Sequence, residues 1–323
     1  MIDKVAELLR QHNLLNDKAD LQPVNQGSGG AYVFSTDEKY IAKYAYLPEI
    51  NPDVRSQLRK EHDFYKLCSG KNFDFIPDII LQFADDDEIL IVMKKYSQIK
   101  PEEWTETLQK RAMELCARIN AVNPDDFCAL FQEEPKQEST ETEQNHEVQD
   151  DSLSASLADW ERLQNKFSKY INALILKEMY KNYAEIELYE DTLVLPETFC
   201  HGDFHPENLL KDGDRLILCD WQNAEIGSGI NAVAFFSSRG ADMGLDIDRD
   251  KLVKWYHETL FRHTGIKVDI HDFYKKIAVF EFGISFRFWA QYLQNSSVDR
   301  VLNIYNAMLR SYNLLLPHIN SGY

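Results

Sequence analysis

The stretch His201-Gly202-Asp203-Phe204-His205-Pro206-Glu207-Asn208-Leu209-Leu210, with Asp220-Trp221-Gln222 downstream, decides how this chain is read. Gly202 and Pro206 both discourage a continuous helix, so Asp203 and Asn208 are expected on a loop. Between Asn208 and Asp220 stand Leu-Leu, then Lys211-Asp212-Gly213-Asp214, then Leu216-Ile217-Leu218-Cys219. Two short apolar runs around an Asp-Gly pair predict a tight hairpin. A hairpin folds the chain back and returns Asp220 to the neighbourhood of Asn208. Three oxygen-bearing side chains then converge at one end of a small ribbon.

Phosphoryl transfer needs such a set. One carboxylate must accept or orient the proton of an acceptor hydroxyl, while a second carboxylate and an amide oxygen must hold Mg²⁺ against nucleotide phosphates. The spacing matches the H-x-D-x-x-x-x-N pattern of kinase catalytic loops, with a metal-binding Asp downstream. Two other readings compete. His201, Asp203 and His205 could ligate a transition metal, but the remaining histidines (12, 62, 146, 257, 263, 271, 318) form no ligand repeat. An ordinary polar turn accounts for a lone H-x-D, but not for Asn208 and Asp220 in register with it.

On His201 to Leu210 together with Cys219-Asp220-Trp221, the chain resembles the aminoglycoside phosphotransferase and choline kinase-like family. The resemblance implies an α+β, two-lobed protein-kinase-like fold, with an N-terminal antiparallel sheet lobe and a larger, mainly helical C-terminal lobe. It implies ATP and Mg²⁺ as cofactors and a small-molecule hydroxyl as acceptor. It also implies that Asp203 is the catalytic base, Asn208 and Asp220 the metal ligands, and His201 a structural brace. The chain departs from the family pattern at Glu207, where Gly is frequent, and at Asn231, where an Asp usually follows the Asp-Trp segment.

The N-terminal third is compatible with a nucleotide site. A short helix is expected over 3–12. Gly27, Ser28, Gly29 and Gly30 then precede a β-prone run, and glycines let backbone amides approach phosphates. A plain glycine turn is the alternative, but this one stands just ahead of Tyr40-Ile41-Ala42-Lys43-Tyr44, a strand with one lysine among apolar residues. In a kinase-like lobe that lysine meets the α/β-phosphates and is held by a glutamate on the next helix. The helix is expected from about 52 to 69, with Pro52 in its first turn. Glu61 is the expected partner of Lys43, and Glu49, in a Pro-flanked turn, is the alternative. A hairpin over 78–83 and 88–93 runs into Met93-Lys94-Lys95, whose backbone from Met93 to Lys95 is expected to meet the adenine edge. The N-lobe is therefore taken as 1–95 and the C-lobe as 96–323.

Within the C-lobe, residues 132–151 carry eight acids, one lysine and a single aliphatic residue, Val148. They cannot bury enough apolar surface to offset ordering entropy, so a flexible acidic insert is expected. Helices are expected over 104–122, 155–183, 230–240, 248–264, 269–294 and 298–316. Phe282, Phe286 and Trp289 share a helical face, with Phe288 and Tyr292 beside them. Most of these aromatics are expected in a core, though such a wall could also receive a cationic substrate.

Composition sets outer bounds. The 323 residues carry a formal net charge of −18, which argues against nucleic acid as a partner because a phosphate backbone calls for a basic footprint. Five scattered cysteines without a C-x-x-C pair favour reduced thiols. No apolar run approaches the ~18 residues of a membrane span, and the N-terminus lacks a signal-peptide core. A soluble, cytoplasmic protein without a membrane partner is expected. The sequence thus points to a Mg-ATP-dependent phosphotransferase acting on a small-molecule hydroxyl. A non-catalytic nucleotide-binding scaffold of the same fold and a kinase acting on a protein are the alternatives.

Overall fold

The computed structural model describes residues 2–16, 21–26, 30–36, 39–131 and 145–319, with backbone alone for 25–26 and 145–151. The chain forms two compact units, Met1–Gln132 with Glu197–Thr264, and Glu133–Pro196 with Gly265–Tyr323. The boundary expected near 95 falls inside the first unit, directly after its large sheet.

That sheet holds β1 (Gln22–Gln26), β2 (Tyr32–Thr36), β3 (Tyr40–Tyr46), β4 (Ile79–Ala84) and β5 (Glu88–Lys94) in the antiparallel order β1-β2-β3-β5-β4. Strand alternation sorts the two faces of β3. Ala42 and Tyr44 join Leu90, Val92 and Phe34 in a core closed by Val5, Ala6 and Leu9 of α1 (Ile2–Gln11). Lys43, opposite Ile91 in the register, takes the other face. Helix α2 (Pro52–Cys68) begins at Asn51, whose side chain accepts from Asp53 N at 2.9 Å, with Pro52 in the first turn.

After β5, the two-residue strand β6 (Ser97–Gln98) joins β8 (Leu209–Asp212) and β9 (Arg215–Leu218) in a second antiparallel sheet. The expected hairpin is therefore present and stitched to the chain leaving the large sheet. Lys94 Nζ adds a bond to Asp212 Oδ2 at 2.9 Å. Helix α3 (Glu106–Asn120) follows, then β7 (Glu197–Cys200) paired with β10 (Glu225–Ser228), α6 (Ile230–Asp242) and α7 (Arg249–Thr264). Asn120 at the end of α3 donates to the Phe199 carbonyl at 2.8 Å and accepts from the Tyr256 hydroxyl at 3.0 Å, which ties β7 and α7 to one residue.

The second unit is helical among the described residues, with α4 (Asn145–Lys166), α5 (Ala173–Glu190), α8 (Ile270–Ile284), a π turn over Ser285–Trp289, α9 (Ala290–Tyr292) and α10 (Val298–Ile319). The single helix expected over 155–183 is two. Asn172 takes extended geometry and caps α5 by accepting from Leu174 N at 2.9 Å, a local bond that competes with helix continuation. Helix α4 starts at Asn145, so the helical backbone includes the last part of the expected acidic insert, while 132–144 lie outside the described residues. The aromatic segment is divided. Phe282 and Phe286 are fully buried with Trp160 and Tyr183, whereas Phe288 and Tyr292 are exposed. Among the described residues no helix is long and apolar enough to cross a membrane.

Candidate active site

Every described residue of the predicted site lies in the first unit. Strand β3 carries Lys43 towards α2, and its ammonium reaches Glu61 Oε2 at 2.6 Å and Asp220 Oδ1 at 2.9 Å. Glu49 is exposed in a short turn at Leu47–Glu49 and does not take that place. Glu61 is 1% exposed, so its charge would be costly without the lysine. Burial opposes the charge on Lys43, but the two carboxylates outweigh it and raise its pKa above the ordinary value. Burial also pushes Glu61 above the usual carboxylate range, with Lys43 working against that shift.

The catalytic-loop stretch is built on His201. Its Nδ1 accepts from Asp203 N at 3.2 Å, so the ring proton sits on Nε2 and is given to the Cys219 carbonyl at 2.9 Å. Burial depresses the His201 pKa to about 4, which keeps the ring uncharged at neutral pH. Both ring nitrogens are thus committed to backbone, and His201 is a brace rather than a metal ligand. The bond also clips the loop carrying Asp203 to the residue before Asp220.

Asn208 performs a second positioning step. Its Nδ2 donates to Asp203 O at 2.9 Å and to Asp203 Oδ2 at 3.1 Å. That use of the amide nitrogen leaves Oδ1 as the oxygen it can offer a cation. Cys219 N donates to Asn208 O at 3.0 Å, closing the hairpin and setting Asn208 beside the Asp220 segment. Asp220 itself adopts φ 68°, the left-handed region open to Asp at modest cost. Burial of Asp203 would raise its pKa, but His205 Nε2, 3.5 Å away, and the other polar neighbours more than offset this. The carboxyl stands below its usual range and is ionised at neutral pH.

The predicted nucleotide residues are placed as follows. Gly27, Ser28 and Gly29 lie outside the described residues, and Gly30 has φ +73° immediately before β2. Met93 lies opposite Ile41 in the β3–β5 pairing, one residue before its last pair, Lys94 with Tyr40. Beyond it, Lys94 N donates to Asp78 O at 3.0 Å and Lys95 N to Lys39 O at 2.8 Å. The Lys95 ammonium reaches Ser35 Oγ at 3.0 Å. Of the departures from the family pattern, Glu207 pairs with Arg239 of α6. The buried Oδ1 of Asn231 has no hydrogen-bond partner among the described residues.

Sequence reasoning missed three residues around this site. The Tyr65 hydroxyl donates to Glu61 Oε1 at 3.3 Å, and Gln57 Nε2 donates to Asn223 Oδ1 at 3.2 Å. Tyr65 is buried, as an apolar position of α2 would be, so its hydroxyl role is not evident from residue type. The available signal was spacing, since Gln57, Glu61 and Tyr65 recur at i, i+4 and i+8 on one helical face.

No curated protein sequence matches the chain. Solved structures do match in fold. The streptomycin–ATP ternary complex of APH(2")-IIa superposes with a TM-score of 0.54 at 15% identity, covering 97% of this chain and 98% of that one. Choline kinase from Cryptosporidium parvum gives 0.59 at 10% identity, covering 98% and 96%. Plasmodium vivax ethanolamine kinase gives 0.54 at 15% identity, covering 99% and 88%. These likenesses establish the two-lobed, kinase-like α+β fold. The phosphotransferase enzyme family model, APH, matches residues 20–235, which include the lysine strand, the catalytic loop and the hairpin. The chain belongs to that phosphotransferase enzyme family.

Proposed function

We propose that this protein transfers the γ-phosphoryl group of Mg-ATP to a hydroxyl of a small molecule, an amino sugar, amino alcohol or similar compound. The observation that carries this reading is the convergence of Asp203, Asn208, Asp220 and the Lys43–Glu61 pair in one hydrogen-bonded framework. A non-catalytic binder has no need to keep all five. Residues 1–95 would act as the nucleotide lobe and 96–323 as the acceptor lobe.

Asp203, ionised and steadied by Asn208 and His205, would accept the proton of the acceptor hydroxyl as the oxygen attacks phosphorus. Lys43, held by Glu61, would contact the α/β-phosphates. Asn208 Oδ1 and one oxygen of Asp220 are hard donors that would hold Mg²⁺, which would supply positive charge against the phosphates. Two protein ligands leave coordination positions for phosphate and water. Support for ATP comes from the ATP named in the APH(2")-IIa complex. Streptomycin, choline and ethanolamine, named with the structural neighbours, are cationic, and a net charge of −18 suits such acceptors.

The test is a panel of hydroxyl compounds with Mg-ATP, read by ADP release and by phosphate on the product. Asp203→Ala should lower kcat on the acceptor found by about 10²–10⁴-fold while nucleotide affinity stays near wild type. Wild-type kcat in that variant would remove Asp203 from its role, and no acceptor-dependent ADP release at all would sink the reading.

A further inference from the structure

Helix α2 does more at this site than present Glu61. Its inner face carries Gln57, Glu61 and Tyr65 at four-residue intervals, and each makes a polar contact with a part of the site. Tyr65 is 2% exposed, and its hydroxyl donates to Glu61 Oε1, the oxygen not bound by Lys43. Burial and the neighbouring carboxylates raise the Tyr65 pKa well above its ordinary value, so the hydroxyl keeps its proton and remains a donor. Both oxygens of a fully buried carboxylate are thereby satisfied and its rotamer is fixed.

One turn before Glu61, Gln57 holds the side chain of Asn223 at 3.2 Å. Asn223 stands three residues after Asp220, and its backbone carbonyl packs directly on Gly202, next to Asp203. Two further contacts follow the same path. Lys60 Nζ reaches the Ala224 carbonyl at 3.2 Å, and the Phe64 ring stacks on Trp221 with centroids 4.2 Å apart.

We propose that Gln57 and Tyr65, one turn to either side of Glu61, are positioning residues for phosphoryl transfer. Tyr65 sets Glu61 and through it Lys43, and Gln57 sets Asn223 and through it the Asp220 and Gly202 backbones. The inference rests on the phosphotransferase reading above. Neither side chain touches the reacting atoms, so each acts on the rate through its partner.

Near-isosteric variants test it without emptying the core. Tyr65→Phe removes one oxygen and keeps the ring, and Gln57→Met keeps chain length and removes the donor. Each should lower kcat about threefold to tenfold, the range expected for one net hydrogen bond, with the KM for acceptor and the thermal midpoint near wild type. Asn223→Asp, which preserves the acceptor, should retain kcat. In a Glu61→Ala background, Tyr65→Phe should have no further effect, because its target is gone. Unchanged kcat in Tyr65→Phe, or a loss that adds in full to that of Glu61→Ala, would overturn the Tyr65 assignment. Equal losses in Asn223→Asp and Gln57→Met would overturn the other. Mg-ATP affinity is titrated on the same variants. A wild type that binds Mg-ATP but phosphorylates no acceptor would defeat the function alone, and the same non-additivity, read in Kd, would still decide the positioning roles.

Discussion

A Cβ on Gly202 would stand 1.9 Å from the carbonyl oxygen of Asn223 and 2.7 Å from its carbonyl carbon. The glycine also holds φ +77°, in the region that L side chains avoid. The loop carrying Asp203 and the segment after Asp220 therefore meet backbone to backbone, with no room for a methyl group. Gly202→Ala should cost about 1–3 kcal/mol from dihedral strain alone. The displacement needed to relieve the contact would move Asp203, the next residue, and a shift of about 1 Å can cost on the order of 10²-fold in rate. Urea unfolding and acceptor-dependent ADP release on this variant check both effects. Wild-type values in both would show that the two loops are not in register as described.

Lys43 and Glu61 should behave as one unit. Removing one partner of a buried ion pair typically costs about 3–5 kcal/mol because the other charge is stranded. Here Asp220 still faces Lys43 at 2.9 Å, so Glu61→Ala should destabilise by less than that and act mainly by drawing the lysine towards Asp220. Both single alanine variants should lower kcat strongly, and the double variant should cost less than the sum. Strict additivity in kcat would show that Lys43 does not depend on Glu61.

Which of these relationships the sequence disclosed follows from the range of the forces involved. The loop over 201–208, the hairpin and the strand with Lys43 were legible because glycine, proline and alternation act locally. The partner of Lys43 was legible as a helix position, but two glutamates competed, and only the course of α2 separates Glu61 from exposed Glu49. Tyr65 was hidden because a buried tyrosine reads as a core residue until something accepts its hydroxyl bond. The break between α4 and α5 was hidden because Asn172 can sit within a helix or cap one, and neighbouring packing decides which. The aromatic run over 280–292 gave a periodicity but not which members would be buried. Phe286 follows Phe282 into the core, whereas Phe288 and Tyr292, on the neighbouring face, stand at the surface.

His201 makes stability depend on acid. Its pKa falls from an ordinary value of 6.5 to about 4 on folding because burial disfavours the imidazolium. Below pH 6.5 the unfolded chain binds a proton that the folded chain refuses. Stability is therefore full above pH 6.5, falls as pH drops towards 4, and changes no further from this group below that. At about 1.36 kcal/mol per pH unit, the loss between pH 6.5 and pH 5 is about 2 kcal/mol. Unfolding free energies of wild type and His201→Gln, compared across that range, isolate the contribution. The wild-type advantage should shrink by about this amount, and an advantage independent of pH would mean that the ring is not buried as a neutral base.

The strongest chemical consequence concerns metal and nucleotide together. Asn208 offers one oxygen because its amide nitrogen is spent on Asp203, and Asp220 offers one because Lys43 takes the other. Two such ligands hold Mg²⁺ poorly by themselves, since this ion keeps most of its waters. With ATP present, phosphate oxygens complete the site, so each ligand should tighten the other by the same factor. Asp220→Ala should abolish that mutual tightening along with turnover. His205→Ala should preserve it, because the His205 side chain contacts Asp203 and Glu207, and its bond from Asn208 N is accepted by the backbone carbonyl, which alanine keeps. A metal centre built on His201, Asp203 and His205 predicts the reverse, with tight transition-metal binding in the absence of nucleotide. Titrations of ATP with and without Mg²⁺ on wild type and both variants separate the two. If wild type binds ATP equally well with and without Mg²⁺, Asn208 and Asp220 are not metal ligands.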